Sequence, residues 1–156
     1  MTLMDAGQVD EARERRRRNL IRGIAVLVIL LGWLAYHLRN YPERRAGDRF
    51  FSALQKQDYE SAFGIWLNDP QWKQHPQKYA TYPYSDFYRD WGPGGEWGLV
   101  KQHDVNCSYA TDSGVIVQVI VNQRTQPAHL YVLKSDKTLS FSPTEIQCGN
   151  MAWLIE

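Results

Sequence analysis

The chain has 156 residues, 44% of them hydrophobic, with 18 Lys and Arg against 17 Asp and Glu; that content excludes a disordered polyelectrolyte. Setting aside the first forty or so residues leaves about 115, the size of one domain with one core. Residues 39–156 carry 12 basic and 13 acidic side chains, so the domain lacks the basic excess of a nucleic-acid binder.

Residues 1–19 form a basic tail, read as cytoplasmic, and residues 20–38 follow as a transmembrane helix. From Gly23 to Tyr36 there is no charged residue, and Ile24 to Leu31 are apolar on every helical face. A helix apolar all round requires apolar surroundings on every side. The uncharged run is short for a span of about 20 residues. Leu20 and Ile21 extend it, with Arg22 snorkelling to the headgroups. Trp33, Tyr36 and Tyr41 fall where an interfacial aromatic belt belongs. Three other readings compete with an anchor. A buried core helix would need this small domain to surround it. A cleaved signal peptide lacks its small-x-small site, because Trp33 stands two positions before Ala35. A twin-arginine export signal is matched by Arg17-Arg18-Asn19-Leu20-Ile21-Arg22, within a run of four arginines.

Six arginines precede the apolar run (Arg13, Arg15 to Arg18, Arg22) and four follow it (Arg39, Arg44, Arg45, Arg49). This bias favours a cytoplasmic N-terminus and a periplasmic or extracellular C-terminal domain. A separate role of the tail in binding anionic lipid is an alternative. Cys107 and Cys148 are the only cysteines and have no metal-ligand spacing. In an exported domain they are expected to pair; two buried thiols are the alternative.

Residues 39–45 read as a charged linker with Pro42, ahead of a domain spanning 46–156. A helix is expected from Ala46 to Gln57, with Ala46, Phe50, Phe51 and Leu54 on one stripe. Asp58 reads as the N-cap of a second helix carrying Tyr59, Ala62, Phe63 and Trp66. Residues 69–83, with three prolines, read as a loop with helical turns. A third helix is expected from Ser85 to Trp91, capped by Ser85 or Asp86 and stopped by a left-handed Gly92 before Pro93. The period then changes to two. Strands are expected at Leu99–Tyr109, Val115–Val121, Ala128–Lys134 and Thr138–Ser142, with a turn at Thr111–Gly114. The fold class is therefore α+β: a single transmembrane helix, then about three helices packed on a four-stranded antiparallel sheet.

The stretch Phe50-Phe51-Ser52-Ala53-Leu54-Gln55-Lys56-Gln57-Asp58-Tyr59-Glu60-Ser61-Ala62-Phe63 resembles the opening helix pair of the nuclear transport factor two-like superfamily. The order of elements and the Asp90-Trp91-Gly92-Pro93 turn fit its uncharacterised bacterial membrane-anchored members. The resemblance covers roughly residues 46–142 and implies a cone-shaped domain. It does not transfer a function, since the superfamily holds isomerases, dehydratases, carriers and dimerisation modules. No acid–base pair of its isomerases can be carried over.

Within such a cone, Lys101, His103 and Tyr109 would share one face of the first strand, and His129 and Tyr131 one face of the third. His103, Tyr109 and Trp91 are the candidate ligand-binding residues, with Asp86 and Asp90 as carboxylate partners for a general base. A structural, hydrogen-bonded His103 is the competing reading. The cluster of Trp66, Trp72, Tyr79, Tyr82, Tyr84, Tyr88, Trp91 and Trp97 serves either as core or as a recognition surface. Pro93-Gly94-Gly95-Glu96 lacks the helix and lysine of a phosphate loop. Asn106-Cys107-Ser108 matches a glycosylation sequon but lies in an expected strand. No catalytic set, metal set or cofactor motif is apparent. The expected function is a membrane-anchored accessory or assembly protein binding a partner, such as an integral membrane complex, at the bilayer surface. Alternatives are small-ligand or isomerase-type activity in the cone, and homodimerisation through the sheet face.

Overall fold

The computed structural model describes residues 3–148, with the backbone alone for 3–12 and His37. The expected ends of the tail (residues 1–2) and of the domain (149–156) lie outside the described residues. The chain divides into two units, residues 1–39 and 40–156.

The first unit is one helix, α1 (Leu3–Leu38), which takes in the arginine-rich tail as well as the apolar run. It is long and apolar enough to cross a membrane, and its apolar window is wholly unburied. A core helix would be enclosed; this one presents Leu20 to Leu34 to its surroundings.

The second unit opens with α2 (Tyr41–Gln55), whose first turn carries Pro42. The helix therefore begins at Tyr41, not Ala46, and residues 41–45 are not linker. Pro is suited to the first helical turn because its missing N–H would have no partner there. Only Arg39 and Asn40 form a turn before it. Helix α3 (Tyr59–Trp66) starts at the Asp58 cap, where Ser61 N donates to Asp58 Oδ1 at 3.0 Å. A hydrogen bond from the Ser61 side chain, and then that backbone bond, hold the Asp58 carboxyl below its usual range. Two 3-10 turns (Trp72–Gln74 and Pro76–Tyr79) occupy the expected loop. Helix α4 (Tyr84–Trp91) follows Pro83 and has no side-chain cap; neither Ser85 nor Asp86 provides one. Gly92 ends it in an extended conformation (φ −77°), not a left-handed one. Glycine is needed there for space: a Cβ would lie 2.3 Å from the Tyr88 carbonyl oxygen.

The sheet is antiparallel in the order β1 (His103–Ala110), β2 (Gly114–Val121), β3 (Ala128–Leu133), β4 (Leu139–Phe141). The first strand begins at His103, later than Leu99. Val115, Val117, Val119 and Val121 face the helices, with Leu130 and Val132 beside them through the β2–β3 register. Helix α2 crosses this face closely, since a Cβ on Gly47 would meet Val117 Cγ1 at 3.3 Å. Phe50, wholly buried, packs edge-on against Phe51, Phe87 and Trp91 at centroid distances of 5.3, 6.1 and 4.9 Å. Trp66, Trp91 and Phe63 complete the layer between helices and sheet. Aromatic rings thus fill the layer between the helices and the sheet.

Candidate interaction site

A register shift in β1 decides where the candidate residues lie. Val105 pairs with Val119 but Cys107 pairs with Gln118, so Asn106 is an extra residue in the strand. A bulge of this kind reverses the alternation of faces beyond it. His103 and Val105 face α2, whereas Cys107 and Tyr109 face away from it. The expectation that His103 and Tyr109 share a face is therefore wrong. Their assumed period of two does not survive the inserted residue.

His103 is clamped between α2 and β1. Its Nδ1 lies 3.1 Å from Gln55 Oε1, its Nε2 lies 3.2 Å from Asp48 Oδ1, and its ring stacks on Phe51 at 5.9 Å. An imidazolium donates to both acceptors; the neutral ring satisfies both only with the Gln55 amide turned to present its NH2. Both ring nitrogens are engaged, which fits a structural pin better than a proton shuttle. Its carboxylate neighbour is Asp48. Asp86 instead accepts from Arg89, and Asp90 from the Tyr82 hydroxyl. Burial, then that bond to Asp90, pushes the Tyr82 hydroxyl well above its ordinary range. Asp48, Phe51 and Gln55 lie at helical spacing on α2; only the position of the bulge aligns them with His103.

Trp91 is buried in the core, and its indole Nε1 has no hydrogen-bond partner among the described residues. It lines a cavity of about 160 Å³ with Trp97, His129 and Phe141. That is below the usual size of a ligand pocket, about 300 Å³ or more. Among the described residues, neither His103 nor Tyr109 lines this cavity with Trp91.

On the outward face of the sheet, Cys107 and Cys148 form a disulfide with Cα atoms 5.9 Å apart. The side-chain amide of buried Gln118 lies against both sulfurs. His129 Nε2 donates to the Ile146 carbonyl at 3.0 Å, so residues 146–148 are held across this face at two points. Tyr131 bonds through its hydroxyl to Ser113 and Thr111, at 2.6 and 3.1 Å, beside the β1–β2 turn. Gly114 leaves room for that ring, since a Cβ there would come within 2.4 Å of it.

A surface concavity lies outside α3, a groove of about 570 Å³. Arg49, Glu60, Gly64, Gln71, Trp72 and Lys73 are among its lining residues. Asp69, between the lining residues Asn68 and Pro70, ties the loop together by accepting from Gln71 N at 2.9 Å and from the Tyr79 hydroxyl at 2.7 Å. The Tyr79 bond is the chief cause holding the Asp69 carboxyl below its ordinary range. Trp72 donates its indole N–H to the Glu60 carbonyl and stacks on Tyr84, so its position is fixed. Lys73 pairs with Glu60 at 2.5 Å, whereas Arg49 has no ion-pair partner among the described residues. The groove therefore offers one uncommitted cation, side-chain amides and a rigid indole. Sequence patterning gave no sign of it, because its lining converges from α2, α3 and an aperiodic loop.

No known protein family, curated protein or solved structure matches this chain.

Proposed function

We propose that this is a single-span membrane protein whose C-terminal domain, of nuclear transport factor two-like type, is a non-enzymatic accessory module. It binds a protein partner at the membrane surface. The observation that carries this reading is the filled interior: Phe50, Phe51, Trp66 and Trp91 occupy the place of a ligand chamber. What the domain has to offer is then on its surface, and the groove of Arg49 and Trp72 is the face assigned to the partner. Fixed aromatic and arginine side chains are effective protein anchors. The arginine bias and the disulfide both support a cytoplasmic N-terminus and an exported domain. The two-residue turn after α1 keeps the module near the bilayer, which raises its effective concentration toward an integral membrane complex. The small-ligand alternative loses ground for the same reason that the accessory reading gains it.

The test places a photo-crosslinking residue at Gln71 and, as a control, at exposed Tyr109 in the full chain expressed in its native membrane. A crosslink to an integral membrane protein from position 71, absent at 109 and lost with Arg49→Glu, is the expected result. Migration as a lone monomer in native-lipid nanodiscs, with no such crosslink, would refute the proposal.

A further inference from the structure

The arginines at the start of α1 do more than the orientation rule requires. Six lie between Arg13 and Arg22, which is about 14 Å of helix axis, with Glu14 the one carboxylate among them. All six are exposed, and none has an ion-pair partner among the described residues. Arg13, Arg16 and Arg17 share a face with Leu20 and frame a depression of about 420 Å³. Arg15, Arg18 and Arg22, at spacings of three and four, take another face. The guanidiniums thus form a collar around the helix, directly before exposed Leu20, Ile21 and Ile24.

Residue type sharpens this. Orientation bias is satisfied by lysine and arginine alike. Yet the collar contains no lysine, and all six lysines of the chain lie beyond residue 55. What distinguishes arginine is its planar fork, which takes two phosphate oxygens at once. Helix length adds a second reason. The uncharged run from Gly23 to Tyr36 covers about 21 Å, against roughly 30 Å of hydrocarbon. Arg22 must then sit at the hydrocarbon boundary, where phosphate oxygens are the acceptors within reach. A zwitterionic headgroup supplies its own ammonium, whereas an anionic one leaves its phosphate charge uncompensated.

We propose that Arg13 to Arg22 form a binding site for anionic phospholipid headgroups, in whichever leaflet the N-terminal end of α1 faces. This rests on the reading of α1 as a membrane span. The test reconstitutes the full chain in phosphatidylcholine vesicles with spin-labelled phosphatidylglycerol or phosphatidylcholine and reads the motionally restricted fraction of each. At about 1 kcal/mol per basic side chain near a charged surface, one effective contact gives about a five-fold preference. Phosphatidylglycerol should therefore be favoured at least that much, less so at high salt, and near parity once all six arginines are changed to glutamine. A variant with all six changed to lysine should keep the salt-dependent attraction but lose a clear part of the preference.

Equal association of the two lipids with the wild-type chain would overturn the site, and an all-lysine variant indistinguishable from wild type would overturn its guanidinium basis. Loss of the preference on adding equimolar RNA would reassign the collar to nucleic acid. Alkaline carbonate extraction of the same vesicles separates this from the span itself. Protein released by carbonate fails the span reading; protein retained without lipid preference fails only the lipid site.

Discussion

Replacing Cys107 and Cys148 together with serine removes a cross-link that closes a loop of 41 residues' separation. In the chain-entropy account, closing a loop of that length restricts the unfolded chain by about 4 kcal/mol at 25 °C. For a domain of this size each kcal/mol moves the thermal midpoint by roughly 3–5 °C, so the double variant should melt about 12–20 °C lower. Near-UV circular dichroism of the full chain in detergent micelles follows the transition, with thiol labelling as a check. The wild-type domain should label at neither cysteine until reduced. The single variants Cys107→Ser and Cys148→Ser should each lose as much as the double, because the loop opens once whichever sulfur is removed. A steeper denaturant dependence should accompany the loss, since the opened unfolded chain exposes more surface. A drop of less than about 5 °C, or single variants whose effects add to give the double, would refute this account. Stability would then come from local contacts of Gln118 and residues 146–148.

Phe50→Ala should destabilise the domain by about 3–5 kcal/mol, because a wholly buried ring with three edge-on aromatic neighbours leaves a cavity the core cannot refill. Urea unfolding reads this, and a loss below about 1 kcal/mol would mean the aromatic layer is loosely packed. Asp58→Ala should cost about 1 kcal/mol at neutral pH through loss of the α3 cap. Its folded carboxyl is held low by Ser61. The cap's contribution is therefore full above the unfolded value near 3.9 and is lost as pH falls through the lower folded value. The gap between wild type and variant should narrow as pH falls through the folded value, and a gap that does not change with pH would point to packing rather than charge.

Secondary structure was legible wherever one local rule governed a segment. The β-branched run of Val115 to Val121 has little choice but a central strand, and Asp58 with Ser61 three residues later carries its own cap geometry. The start of α2 was missed because Pro42 and the charges around it look like linker. Yet Glu43 is buried against Lys137 at 2.7 Å, and Arg44 donates to the Val105 carbonyl at 3.0 Å. Those partners lie 94 and 61 residues away in the chain, beyond the reach of any local pattern. The candidate site failed for a related reason. Asn106 looks like any other polar strand residue, but as a bulge it moves Tyr109 to the opposite face from His103. A single inserted residue has turned a plausible pocket pair into a helix–strand pin on one face and an exposed tyrosine on the other. Period-two reasoning is thus sound up to the first bulge. Past it, which residues meet depends on pairing with the neighbouring strand, and no property of β1 alone reveals that pairing.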